Sequence, residues 1–271
     1  MTPGAREVSA STLSFASQEV KGARRTLAVE TPLELVFGTI PYAVMMVTPD
    51  DFEDFITGFA FTEGVIERAS DVRTITIEQH PKGLRALVDL VPEKLSAHLA
   101  RQRAMTGRTS CGVCGIEDLA SLPSQEEAVK HSTRISEDAI KHAIDTISEH
   151  QPLNDATRTV HAAAWFDRNG DFILAREDVG RHNALDKTIG ALMRSDADAR
   201  SGFILITSRA SYEMIEKTGR FGAYTLVAIS APTSLAVERA EALGITLYAI
   251  ARADGAMKFT NLNDEYSKET R

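Results

Sequence analysis

Apolar and polar positions alternate in short bursts along the first third of the chain. Residues 26–29, 33–37 and 42–47 read as strands, separated by Pro32 and Pro41. The period then lengthens. Phe52, Phe55, Ile56, Phe59 and Ala60 fall on one stripe at helical spacing. Thr48 suits the cap of that helix, Pro49 its first position, and Asp50 and Asp51 its positive end, while Gly64 marks its close. Strands are expected again at 72–78 and 84–91 around a Pro-Lys-Gly turn, and Pro92 opens a short helix to about residue 100. These elements make a small α+β unit at 23–105. Residues 1–22, rich in Ser, Ala, Thr and Gly, read as a mobile tail.

Residues 106–134 are irregular and read as a linker and loop; an α/β unit follows at 135–265. A helix is expected at 136–150, burying Ile140, Ala143, Ile144 and Ile147. Strands at 160–166 and 172–175 precede a helix from Gly180 that buries Leu185, Ile189 and Leu192. Strand 203–207, helix 211–218, strand 225–229, helix 233–243 and strand 245–250 follow, with an extended piece near 257–260. Such alternation predicts a largely parallel sheet with helices on its faces. Trp165, in an apolar strand, is expected in the core.

Polar residues cluster where four of these strands end. The clusters are Arg176 to Asn183, Ser208 to Ser211, Ser230 to Thr233, and Arg252 to Gly255. Ligands of open α/β sheets bind outside the carboxyl ends of strands, and helix starts suit phosphate. Capping and loop polarity explain any one cluster equally well. Four of them on one edge, bearing Arg176, Arg181, Arg209 and Arg252, point to a phosphorylated small molecule. Neither a GxGxxG nor a GxxxxGK[ST] string is present. His182 suits a general acid or base as well as a local cap. Lys187 faces either this edge or, the preferred reading, solvent on the helix surface.

Composition narrows the classes. Of 271 residues, 43% are hydrophobic, enough for a buried core, and 25% are charged. A net charge of -8 argues against bulk attraction to nucleic acid or anionic lipid. The N-terminus carries no basic stretch ahead of an apolar run, and the most apolar segment, near 223–237, is broken by Ser230, Pro232, Thr233 and Ser234. The expectation is a cytoplasmic protein.

Two cysteines occur, as Cys111-Gly112-Val113-Cys114. A structural zinc site needs a second ligand pair, and none stands at suitable spacing. A thioredoxin-like redox pair needs a strand ahead of it, and none is convincing there. A persulfide carrier needs an accessible thiolate on a mobile segment, which Gly107, Gly112 and Gly115 provide. Two inert small residues are the fourth reading.

The string Thr109 to Gly115 is similar to the CxxC loop of the formate dehydrogenase accessory (FdhD/NarQ) family. The runs Glu30 to Leu33, Gly58 to Gly64, Glu177 to Lys187, Thr207 to Met214 and Ser230 to Ala236 also resemble that family's motifs, in order, so the resemblance covers about 24–261. It implies a cytidine deaminase-like three-layer C-terminal α/β domain with a smaller N-terminal α+β domain. It also implies a sulfurtransferase that takes persulfide sulfur from a cysteine desulfurase. The sulfur would pass to the molybdenum of a bis-pterin guanine dinucleotide cofactor for the formate dehydrogenase catalytic subunit. Cys111 would be the carrier and Cys114 its assistant. The cofactor segment would be Ile250, Ala251, Arg252, Ala253, Asp254 and Gly255, although the family tends to carry another basic residue near Gly255. The strand-end reading adds Gly180, Arg181, His182, Asn183, Ser208, Arg209 and Ser211, with guanosine diphosphate (GDP) as a surrogate ligand. No resident metal, nucleic acid or membrane is expected, and a homodimer is left open. Two alternatives stand beside this: a non-catalytic chaperone for the cofactor, and a zinc deaminase-like protein. Against the second, none of the seven histidines is followed two residues later by Glu, and Ser110 rather than Pro precedes Cys111.

Overall fold

The computed structural model describes residues 2, 4–97 and 134–260. Cys111 and Cys114 lie outside the described residues, as does nearly all of the segment read as a linker.

Three sheets form. β1 (Ala5–Leu13) and β2 (Val20–Ala28) pair as an antiparallel hairpin. β3 (Thr31–Phe37), β4 (Ile40–Val47), β5 (Val72–His80) and β6 (Gly83–Leu90) make a four-stranded sheet in the order β4-β3-β6-β5. The third sheet holds β7 (His161–Asp167), β8 (Phe172–Asp178), β9 (Gly202–Ile206), β10 (Thr225–Ala228), β11 (Thr246–Arg252) and β12 (Gly255–Lys258), in the order β12-β11-β10-β9-β7-β8. β7 is antiparallel to both β8 and β9, while β9, β10 and β11 are parallel. β8, β9, β10 and β11 therefore run the same way, and their carboxyl ends share one edge. The start of β7 lies on that edge too.

Residues 5–13 correct the expectation of a tail. The two strands of the hairpin are mostly exposed, and an ion pair between Arg24 and Glu7 bridges them. Without a face to bury, they carry no apolar alternation for a sequence reading to find. A second correction concerns the helix expected at 136–150. It is α2 (Glu137–Thr146), which tightens to a 3-10 turn at Ile147–His150 and is followed by α3 (Pro152–Thr157).

The long helices sit between and around the sheets. α1 (Phe52–Thr62) lays Phe55, Ile56, Phe59 and Ala60 on Leu33, Leu35, Phe37, Ala86 and Val88 of the four-stranded sheet. Its opposite side meets α4 (Arg181–Arg194). On the large sheet, period-2 alternation sends Ala163 and Trp165 to one face and Ala164 and Phe166 to the other. The first face is covered by α4, α5 (Tyr212–Phe221) and α6 (Ser234–Leu243), and the second by α2. Trp165 is core, as expected. Among the described residues, no helix is long and apolar enough to cross a membrane.

α1 and α4 cross backbone to backbone. A Cβ on Gly58 would lie 1.8 Å from the Asp186 carbonyl oxygen, and one on Gly190 would lie 1.9 Å from that of Asp54. Neither neighbour is a side chain that can swing away, so only separation of the helices would admit a methyl group. Gly58→Ala should therefore destabilise the fold by about 3 kcal/mol or more in urea unfolding. Gly22→Ala, which meets nothing within 4 Å, should stay within about 0.5 kcal/mol of the parent.

Candidate functional site

The shared edge is stitched together by its loops. The Thr207 N–H donates to the Ala162 carbonyl at 3.0 Å, and the Ala162 N–H to Thr207 Oγ1 at 2.9 Å. The Ile229 N–H donates to Ile206, the Thr233 N–H to Ala210, and the Ile250 N–H to Ser230. The loops after β9, β10 and β11 thus form one continuous rim, with the start of β7 beside them.

The start of α4 is anchored from below. Asp178, at the end of β8, is fully buried and meets Lys187 Nζ at 2.8 Å; Lys187 is equally buried. Asp178 also accepts from the backbone N–H of Thr48 at 2.9 Å, that of Gly180 at 2.9 Å and Asn183 Nδ2 at 2.8 Å. Lys187 donates to the carbonyls of Thr48 and Glu177, and Asn183 to that of Met46. These bonds correct two readings. Lys187 is not on a solvated surface, because its ammonium fills the junction between the two halves. Thr48 does not cap α1, because its polar groups serve the same junction; Asp51, at φ 52°, is the N-cap.

Arg176, expected at the edge, lies within β8 on the α1 side. Its guanidinium binds Asp54 at 2.7 Å and lies 3.4 Å from Asp51. Asn183 turns inward to the junction, and Ser208 is buried with its hydroxyl on the Arg209 carbonyl at 3.2 Å. Of the segment 250–255, Ala251 is core, whereas Ile250, Arg252, Ala253, Asp254 and Gly255 are exposed. A β-bulge between Ala249 and Arg252 accompanies Ile250 at φ 53°, a conformation that a β-branched side chain rarely adopts. Arg252 donates to the carbonyls of Ile229 and Ala251, so it braces the rim.

What faces outward is cationic. Gly180 opens α4 and Ser211 opens α5, and neither helix has a side-chain cap. Arg181 Nε and Ser211 Oγ are buried and unpaired among the described residues, a condition that costs about 1–3 kcal/mol per group unless a ligand or solvent satisfies it. Arg209 is exposed on the loop between them. His182 Nε2 lies 3.0 Å from Glu213 Oε2. That hydrogen bond, opposed by burial and aided by the His182 charge, holds the Glu213 carboxyl below the usual range. Behind it, Lys217 Nζ binds Asp186 at 2.8 Å and Thr62 at 2.9 Å. Burial would lower its ammonium, but Asp186 and Glu63 outweigh that and push it up.

Sequence reasoning missed His161. It is the first residue of β7, half-buried, and burial followed by the charges of Arg181, Arg209 and His182 holds its imidazole below 6.5. A histidine ahead of an apolar strand gave no signal until the direction of β7 was known. Among the described residues, no group of three or more His, Cys, Asp or Glu side chains is arranged to hold a metal. The edge presents guanidinium groups and two open helix starts, groups that suit a compact anion chemically.

Comparison with known proteins decides the family. The family model described as FdhD/NarQ matches residues 28–264. The chain belongs to the FdhD/NarQ family. It is 45% identical over 226 residues to the sulfur carrier protein FdhD of Xanthomonas euvesicatoria pv. vesicatoria, covering 83% of this chain and 80% of that protein. It is 44% identical over 227 residues to the protein of the same name from Cupriavidus necator, covering 84% and 79%. The fold is similar to a crystal structure from Desulfotalea psychrophila described as a formate dehydrogenase accessory protein. The TM-score is 0.71 at 24% identity, over 95% of this chain and 97% of that one.

The Glu213 carboxylate gives a pH test of the rim. Because its folded pKa is depressed, its contribution to stability is complete above about pH 4.5 and is lost as pH falls through the folded value. The stability gap between the parent and Glu213→Gln should accordingly be larger at about pH 5.5 than at about pH 3.5 in urea unfolding. A gap independent of pH would show that the His182 contact does not hold Glu213 ionised.

Proposed function

We propose that this chain is a sulfur carrier serving formate dehydrogenase, with Cys111 as the carrying thiol and the cationic edge as the seat of its ligand. The Cys111 thiolate attacks the outer sulfur of a cysteine desulfurase persulfide. A new S–S bond forms at Cys111, and the desulfurase cysteine leaves as thiolate. Cys114 then attacks Cys111 Sγ. Hydrosulfide departs toward the molybdenum of the bis-pterin guanine dinucleotide cofactor, which is a substrate here, and the Cys111–Cys114 disulfide is left for an external thiol to reduce. The sulfurated cofactor goes to the formate dehydrogenase catalytic subunit, in the cytoplasm. Family membership and the likeness to sulfur carrier proteins support the carrier role.

The observation that carries the ligand reading is the rim itself. Arg181 and Arg209, with no acidic partner among the described residues, flank two uncapped helix starts, and a buried Ser211 hydroxyl lacks a partner between them. A nucleotide diphosphate satisfies all of these groups. The hydrogen-bonded partner of Glu213 is His182, and the Arg181 charge acts on it from farther off. The covered sheet, with α2 on one face and α4 to α6 on the other, supports a cytidine deaminase-like frame for residues 135–265, joined through 106–134 to the smaller unit at 23–105.

Mass spectrometry after incubation with a desulfurase and cysteine should show a gain of one sulfur on the parent and on Cys114→Ala but none on Cys111→Ala. Sulfur retained by Cys111→Ala and absent from Cys114→Ala would reverse the two roles. Calorimetry with GDP tests the edge separately. Arg181→Ala and Arg209→Ala should each weaken binding by about 1.5–3 kcal/mol, and Cys111→Ala should leave it nearly unchanged. Full affinity in both arginine variants would place the nucleotide elsewhere.

A further inference from the structure

We infer that His161 is a further binding residue for the phosphate part of the ligand, and that it takes up a proton as the anion arrives. The inference rests on the reading of the edge as a nucleotide seat and adds a residue and a linkage to it.

β7 supplies the geometry. It lies between β8 and β9 and runs against both, so its first residue stands where its neighbours end. His161 is opposite Asp178 in register and one residue from the Ala162–Thr207 hydrogen bonds. It shares the sheet face of Ala163 and Trp165, which α4 and α5 cover. The charges of Arg181 and His182, on α4, and of Arg209, on the loop before α5, act on it. Asp178, opposite it in register, is engaged by Lys187 and Asn183, and Glu213 on α5 is engaged by His182. The His161 imidazole has no hydrogen-bond partner among the described residues. Arginine charges from the start of α4 and from the loop before α5 therefore bear on a half-buried imidazole that the register of β7 sets at the same edge.

In the free protein that setting favours the neutral ring, first through burial and then through the arginines. A phosphate dianion held by Arg181 and Arg209 reverses the field. The ring then takes one proton from solvent, and the new N–H donates to a phosphate oxygen. Nothing is oxidised or reduced. Because the bound complex holds more protons than the separated partners, affinity rises as pH falls through the bound-state pKa and levels off below that of the free protein.

Calorimetry of the full chain with GDP, at pH 7 in two buffers of different ionisation enthalpy, measures the proton count. GDP itself gains protons near this pH, so the informative quantity is the difference between the parent and His161→Gln. The parent should take up more protons than the variant and bind GDP about tenfold more tightly at pH 6, and the difference should narrow by pH 8. The titration midpoint of the His161 ring, followed by NMR in the parent, should rise when GDP is added. Equal proton uptake in parent and variant, or an unmoved midpoint, overturns the inference even where Arg181→Ala and Arg209→Ala weaken binding as expected. Failure of GDP to bind the parent, or full affinity in both arginine variants, overturns the nucleotide seat and this inference together.

Discussion

The site depends on one buried ion pair. Lys187 and Asp178 meet with no exposure to solvent, and every remaining group around them comes from a different part of the chain: the turn at Thr48, the end of β8 and the start of α4. Two charges taken out of water are tolerable only when each has several well-placed partners. Apart from the Asn183 amide, the partners here are backbone groups, so the pair chiefly fixes main chain. The result is a rigid origin for α4, whose first two residues, Arg181 and His182, then stand at the rim. Loss of either partner would leave the other as a lone buried charge and would release the start of that helix.

Much of the frame was legible from pattern alone. β3 to β11 and the long helices appear near the positions that alternation and helical stripes predict, and the expectation that four strands end on one edge follows from the observed directions. Local periodicity reports which face of an element is apolar, and that is enough to place such elements. What escaped depended on partners far away in sequence. Lys187 is polar on an otherwise ordinary helix, and only the arrival of Thr48 from the other half makes its position interior. Thr48 has the look of a cap because its sequence neighbours suit a helix start, yet three longer-range bonds claim it. β1 and β2 bury too little to leave a pattern at all.

The candidate site divides along the same line. Arg181, Arg209 and Ser211 were read from strand ends and helix starts, features that sequence displays. Arg176 and Asn183 carry the same residue types in the same cluster, but the direction of their side chains turns them to Asp54 and Met46. His161 shows the converse error, because a strand that opposes its neighbours brings its beginning, not its end, to the edge. The CxxC segment was the strongest chemical signal in the sequence, and it lies outside the described residues.

The crossing of α1 and α4 has a consequence for synthesis. About 120 residues separate the end of α1 from the start of α4. At roughly 5–20 residues per second, the ribosome adds them in about 6–24 s. Throughout that interval the glycine-bearing side of α1 has no surface to lie on, since its partner has not been made. Asp54 likewise waits for both Arg176 and Arg194. The first half of a nascent chain is therefore exposed to off-register association on the same side that later seals the molecule.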